Sequence, residues 1–263
     1  MHLTKMQGLG NDYLYIYGEI ENPQEVSVKL SDRHFGIGSD GIIIIAPSEI
    51  ADFKMRIFNA DGSEAKMCGN GIRCVGKYVF DKGYTDKTDL SVETLSGIRT
   101  LELKTSGGKV VSATVNMGKS VVQSPVTLTV SNTNVTCTPV SMGNPHAVVF
   151  VDNADTAPLT TLGSAMEHHK FFPDGVNVEF VEFIDRNTLR MRVWERGSGI
   201  TMACGTGACA SVAAAVSAGL CPQNEEITVK LDGGNLQIKI LADKTVMMTG
   251  PARTVCECEV DYL

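Results

Sequence analysis

The chain has 263 residues, of which 43% are hydrophobic and 20% charged, and its formal net charge is −7. At about 150 residues per domain this is one large or two small domains, long enough to fold without a disulfide or a metal. The acidic balance and the lack of a Lys/Arg cluster argue against a nucleic-acid partner. The apolar run from Ile42 to Pro47 is too short to span a bilayer.

Met1-His2-Leu3-Thr4-Lys5 lacks the basic start and apolar run of a signal peptide, so a cytoplasmic protein is expected. The eight cysteines, at 68, 74, 137, 204, 209, 221, 256 and 258, are then expected as reduced thiols, most of them buried.

Strand-like runs recur along the chain: Tyr13 to Tyr17, Ile42 to Ile45, Lys109 to Val115, Val126 to Val130, Ala147 to Val151, Asn177 to Phe183 and Leu236 to Ile240. Many are β-branched and bounded by Gly, Asn, Asp or Pro. Two segments read as helices, Asn70 to Asp81 and Thr206 to Ala218. Each opens after a Gly-rich turn and ends before a glycine suited to a C-cap. The second is almost wholly Ala, Val, Ser and Cys, and a helix without a polar face is expected to be buried. Two small helices among many strands predict an α/β fold in which a sheet wraps a central helix, twice.

The spacing supports a duplication. Cys68-Gly69-Asn70-Gly71 and Cys204-Gly205-Thr206-Gly207 lie 136 residues apart, as do Asn59 and Glu195. Gly10-Asn11 and Gly143-Asn144 are offset by 133, and Asp40 and Asn177 by 137. Four ordered matches predict two related domains, 1–117 and 118–250, with the boundary near Met117-Gly118.

Each C-G-x-G turn places a cysteine just before a helix, where unpaired backbone N–H groups and partial positive charge collect. A carboxylate can bind there, and a thiol there is expected to have a lowered pKa. A single such cysteine reads as a packing residue beside turn glycines. Two in matched halves suit a different chemistry. Inverting an α-carbon needs one group to remove a proton from one face and another to return one to the opposite face. Cys68 and Cys204 are the candidate bases.

Around these cysteines the chain resembles the diaminopimelate epimerase family. The resemblance rests on Phe58-Asn59-Ala60-Asp61-Gly62-Ser63-Glu64 with Met67 to Cys74, and on Trp194-Glu195-Arg196-Gly197-Ser198-Gly199 with Ala203 to Cys209. Gly8 to Asp12, Asp32 to Gly41 and Met142 to His146 also match. It implies two pseudo-symmetric domains, each a strongly bent, mostly antiparallel sheet around a central helix. The site would lie in the cleft between them, and a last strand at about 251–263 would return to the first domain. It implies cofactor-independent conversion of L,L-diaminopimelate to the meso form, for lysine and peptidoglycan precursors, in a homodimer. Asn11, Asn59, Asn144, Asn177, Glu195 and Arg196 would bind the distal end of this diamino dicarboxylic acid. Gly69, Asn70, Gly205 and Thr206 would cradle the α-carboxylate, and His146 and Glu195 would support the thiols. Asparagines beside glycines also make turns, and Asn70 and Thr206 could simply cap their helices.

His168 and His169 read as solvated, and Cys74 and Cys209 as core. Gly41, Met67 and Ile200 stand where family members often carry Gln, Gln and an acidic residue. That suggests more apolar thiol surroundings. Relatives acting on proline, histidine or lanthionine are the nearest alternatives, although proline racemases usually carry His where Asn70 stands. A zinc or redox protein is a further alternative, but the cysteine spacings lack the C-x2-C of such sites. A non-catalytic binding module is a third, disfavoured by the presence of both cysteines.

Overall fold

A computed structural model describes residues 1–261. It divides into two units: Met1–Val115 together with the chain from Gly250 onward, and Asn116–Thr249.

The first unit contains β1 (His2–Gly8), β2 (Asn11–Tyr17), α1 (Pro23–Ser31), β3 (Gly41–Ala46), β4 (Phe53–Asn59), β5 (Glu64–Ala65), α2 (Gly69–Asp81), β6 (Asp89–Thr94), β7 (Gly97–Ser106) and most of β8 (Lys109–Lys119). The second contains β9 (Val121–Val122), β10 (Val126–Val130), β11 (Thr133–Ser141), β12 (Pro145–Val151), a π-helical turn at Leu159–Gly163, α3 (Ser164–Glu167), β13 (Asn177–Asp185), β14 (Thr188–Glu195), β15 (Gly199–Ile200), α4 (Gly205–Ser217), β16 (Glu226–Leu231), β17 (Gly234–Ile240) and most of β18 (Thr245–Pro251). The last strand, β19 (Arg253–Glu259), pairs antiparallel with β1, with Leu3 opposite Cys258 and Lys5 opposite Cys256. Residues 262–263 of the anticipated final strand lie outside the described residues.

The two units repeat one wiring. β2 runs parallel to β3, β3 antiparallel to β4, and β4 parallel to β6. In the second unit β12 runs parallel to β13, β13 antiparallel to β14, and β14 parallel to β16. Hairpins β6–β7 and β16–β17 complete the match. The short strands β5 and β15 fold back on β4 and β14 just ahead of the cysteines.

The central helices are α2 and α4, each 13 residues long. α4 buries Gly205 and every residue from Gly207 to Ala215. Its alanines let the surrounding strands approach, and the burial expected from its composition is found. α2 is buried just as thoroughly, although its sequence carries Arg73 and Lys77. Each finds partners. The Lys77 ammonium bonds Asp81 at 2.6 Å and the Val110 carbonyl at 2.7 Å. Two further helical segments were not anticipated, α1 and the stretch from Leu159 to Glu167. α1 starts from a left-handed Asn22 with a proline in its first turn, and it buries only Val26, Ser27, Leu30 and Ser31. Among the described residues, no helix is long and apolar enough to cross a membrane.

Candidate active site

The same local device holds both cysteines. Cys68 and Cys204 are themselves the N-cap residues of α2 and α4, with extended backbones at φ −133° and −108°. Each sulfur accepts the backbone N–H of the third helical residue, Gly71 or Gly207, at 3.3 Å. Sulfur therefore takes the place of the usual Ser or Asp cap oxygen. Asn70 and Thr206 are not the caps. Their side chains turn instead toward neighbouring groups.

Around Cys68 the first unit builds a polar network. The Cys68 thiol donates to Asn11 Oδ1 at 3.3 Å, and Asn11 Nδ2 donates to Asp40 at 2.7 Å. Asp40 also accepts from the Asp12 backbone at 3.0 Å. Arg33 bridges Asp12 and Asp40 at 2.9 and 3.0 Å, and Lys5 meets Asp12 at 2.9 Å. These cations hold the Asp12 carboxyl below its usual range against the opposing effect of burial, the largest single influence on it. Asn59 donates to Ser63 Oγ at 3.0 Å. The Arg73 guanidinium is fully buried. It donates to the Gly69 carbonyl and Asn70 Oδ1, both at 3.0 Å, and to the Pro251 carbonyl at 3.2 Å. It thereby ties the cysteine turn to the returning chain.

Around Cys204 the second unit builds a deeper site. Cys204 is 6% exposed and lies 3.6 Å from Thr206 Oγ1. Asn144 Nδ2 donates to Thr206 Oγ1 at 3.3 Å, and His146 Nε2 lies 3.1 Å from Asn144 Oδ1. His146 Nδ1 lies 2.7 Å from Glu179 Oε1. Asn177 is buried between neighbouring strands, donating to the Pro145 carbonyl and accepting the Arg196 backbone N–H, both at 3.0 Å. Arg196 itself is exposed, with Nη1 on the Asp174 carbonyl at 2.8 Å. The Thr201 hydroxyl donates to Glu195. Asn11 thus joins the network at Cys68, and Asn144, His146 and Thr206 join that at Cys204, whereas the Asn59 side chain bonds Ser63 and the Arg196 guanidinium bonds the Asp174 carbonyl.

The expectation of a lowered thiol pKa fails at Cys204. Burial pushes that thiol well above the ordinary value, and the nearby carboxylates of Glu195 and Glu179 push it further. Hydrogen bonds from Thr206 and Gly207 oppose this but are outweighed. Removing a thiolate from water costs more here than a helix start returns. Cys74 is buried as expected, and its thiol is raised to about 11 by the same desolvation. Cys209 is also fully buried. His168 is exposed, whereas His169 is half-buried and accepts the Phe171 N–H at 3.2 Å.

Two carboxylates escaped the sequence reading. Glu167, buried at the end of α3, accepts from Trp194 Nε1 at 2.7 Å and from the Gly197 backbone at 2.8 Å. It shapes the turn that carries Glu195 and Arg196. Glu179 is the only charge in the run Val176 to Val181, and a lone charge inside a buried strand was the available signal. Among the described residues, no three His, Cys, Asp or Glu side chains are grouped so as to hold a metal ion.

The description "Diaminopimelate epimerase" belongs to the family model that matches residues 3–123 and 138–255. A protein of that name from Acetivibrio thermocellus is 54% identical, covering 99% of both chains. One from Methanococcus maripaludis is 52% identical, covering 99% of this chain and all of that one. Among solved structures, a probable proline racemase from Agrobacterium radiobacter superposes with a TM-score of 0.78 at 16% identity, over 98% of this chain and 92% of that one. A phenazine biosynthesis protein from Bacillus anthracis gives 0.77 at 17%, over 99% and 98%. At such low identity these two structures speak to the fold alone, which they share across nearly its whole length. Near-complete coverage at about half identity decides the family: the chain belongs to the diaminopimelate epimerase family, isomerases of the amino-acid racemase and epimerase class.

Proposed function

We propose that this protein interconverts L,L- and meso-diaminopimelate without a cofactor, using Cys68 and Cys204 as a thiolate/thiol pair. The observation that carries the reading is the duplicated thiol turn. Two cysteines cap two matched helices with the same 3.3 Å N–H contact to sulfur. One thiolate takes the α-proton from one face of the substrate, and the other thiol delivers a proton to the opposite face. Each turnover leaves the two sulfurs with their charges exchanged. The developing negative charge spreads onto the α-carboxylate, held at the helix starts by Gly69, Asn70, Gly205 and Thr206. There the backbone N–H groups are already oriented. The charge exchange suits the electrostatics around Cys204, where burial favours the neutral thiol as the resting form.

Asn11, Asn59, Asn144, Asn177, Glu195 and Arg196 fit the ammonium and carboxylate of the substrate's distal end, with Arg196 supplying a guanidinium fork. His146 and Glu195 adjust the protonation of the sulfurs. The same reading places the enzyme in the cytoplasm as a homodimer that supplies lysine and peptidoglycan precursors. Chiral chromatography after incubation with diaminopimelate, lanthionine, histidine or proline tests the substrate. Turnover of diaminopimelate above the others is expected, and its absence refutes the assignment.

A further inference from the structure

Glu179 has no role in the two-base scheme, yet the second unit is built around it. Its side chain is fully buried, and Oε2 has no hydrogen-bond partner among the described residues. Oε1 pairs with His146 Nδ1 at 2.7 Å, and His146 is itself only 1% exposed. The carboxyl presses against the start of α4. A Cβ on Gly207 would lie 2.7 Å from Glu179 Oε1 and 3.2 Å from Cys204 Sγ. Glycine at 207 is what admits an acid this close to the sulfur.

Counting protons gives the pair a definite state. Asn144 spends its amide N–H on Thr206, so it presents an oxygen to His146 Nε2. An oxygen cannot donate, so Nε2 carries a hydrogen. The contact between Nδ1 and Oε1 then needs one more proton, held by either partner. The pair is neutral overall, as imidazolium with carboxylate or as imidazole with carboxylic acid. A buried carboxylate without that proton would be a bare charge beside the sulfur.

We propose that Glu179 is a positioning residue for the reaction: by sharing one proton with His146 it fixes the ring with Nε2–H toward Asn144. The relay through Asn144 and Thr206 is thereby aligned on Cys204. This rests on the reading of Cys204 as one of the two bases. When Cys204 becomes a thiolate, the shared proton can sit on Glu179, so that no second negative charge lies beside the sulfur. When the thiol re-forms, it can move back to His146. No proton leaves the buried site in either direction. The titratable groups facing Glu179 are His146, Glu195 and Cys204.

The test combines nitrogen NMR of the histidine ring with kinetics. In the wild-type protein labelled at histidine with nitrogen-15, His146 is expected to show a protonated Nε2 and a proton shared at Nδ1. This measurement needs neither a substrate nor a variant. In Glu179→Gln, His146 is expected to become neutral with an unprotonated Nδ1. There kcat for diaminopimelate should fall about 10–100-fold with KM changed far less, as expected when a histidine loses its orienting carboxylate. Glu179→Asp should recover part of kcat. Wild-type nitrogen shifts showing no proton on Nε2, or an unchanged kcat in Glu179→Gln, overturn the proposal. A loss in which KM and kcat move together, with no recovery in Glu179→Asp, also overturns it in favour of a purely structural acid. Absence of diaminopimelate turnover by the wild-type protein would sink the functional reading instead, leaving the NMR result to decide the shared proton.

Discussion

Replacing Arg73 with Met keeps much of the side-chain volume but removes the guanidinium from the interior of the first unit. Three acceptors are affected. The Gly69 carbonyl also faces the backbone N–H of residue 73, four positions on in the helix, and so keeps a helical partner. Asn70 Oδ1 and the Pro251 carbonyl each lose a charged donor, at 3.0 and 3.2 Å. A hydrogen bond to a charged group contributes roughly 1.5–3 kcal/mol, so the two together set a cost of about 3–6 kcal/mol. Hydrogen exchange of the α2 amides reads this directly, because each 1.4 kcal/mol of lost opening energy speeds exchange about tenfold. An acceleration of at least about a hundredfold is expected, concentrated in α2 and β19, with the second unit little changed. Arg73→Lys should fall between the two, since a single ammonium cannot span acceptors that a fork reaches. Epimerase activity should fall alongside, because the same guanidinium holds the turn that presents Cys68. Exchange within about threefold of wild type in Arg73→Met would refute the view that this arginine fastens the cysteine turn.

Glu195→Gln removes a negative charge that raises the Cys204 thiol, so at a fixed pH more of that sulfur is thiolate. Alkylation of Cys204 by iodoacetamide, followed by peptide mass spectrometry, should quicken even as turnover falls; slower alkylation would reverse the assigned sign. At Gly41, φ is +152° and a Cβ would lie 2.1 Å from the Phe58 carbonyl. Gly41→Gln should therefore destabilise the first unit by about 1–3 kcal/mol or more, seen as a lower unfolding midpoint. An unchanged midpoint would mean that β3 and β4 separate freely at this point. Asp52 is held down to about 2, first by Lys87 and then by Ser91. A carboxyl depressed on folding adds stability above its unfolded pKa of about 3.9, and that stability is lost as pH falls toward 2. Asp52→Asn should lower the unfolding midpoint at pH 7, with the gap to wild type closing between about pH 4 and 2; a gap constant over that range would contradict the pairing.

Much of the site was legible because the chain states it twice. The 136-residue offset of Cys68 and Cys204, with Asn59 and Glu195 ahead of them, marked both turns before any coordinates. The anticipated helices at 70–81 and 206–218 correspond to Gly69–Asp81 and Gly205–Ser217. Composition alone gave the burial of α4. What composition could not give was how deep a charge can sit. Charged residues such as Arg73 and Lys77 ordinarily mark the solvated face of a helix, yet both are buried, because backbone carbonyls and Asp81 receive them. The expected acidic thiol at Cys204 followed from the helix start, a local property. The opposite shift follows first from burial beneath strands distant in sequence, and then from Glu195 and Glu179. α1 was missed for a simpler reason. With nine residues and four of them buried, it shows too little apolar periodicity to stand out from a polar loop.

The central claim is that two thiols, one from each half of the chain, work on opposite faces of a single carbon. Its most direct test follows α-deuterium from D2O during epimerisation by wild type, Cys68→Ser and Cys204→Ser. In the wild type, newly formed product should carry solvent deuterium while unreacted substrate keeps its protium at early times. Either substitution should cut inversion by about 10²–10⁴-fold. Inversion that persists near the wild-type rate in either variant, or product formed without solvent deuterium, would contradict the account.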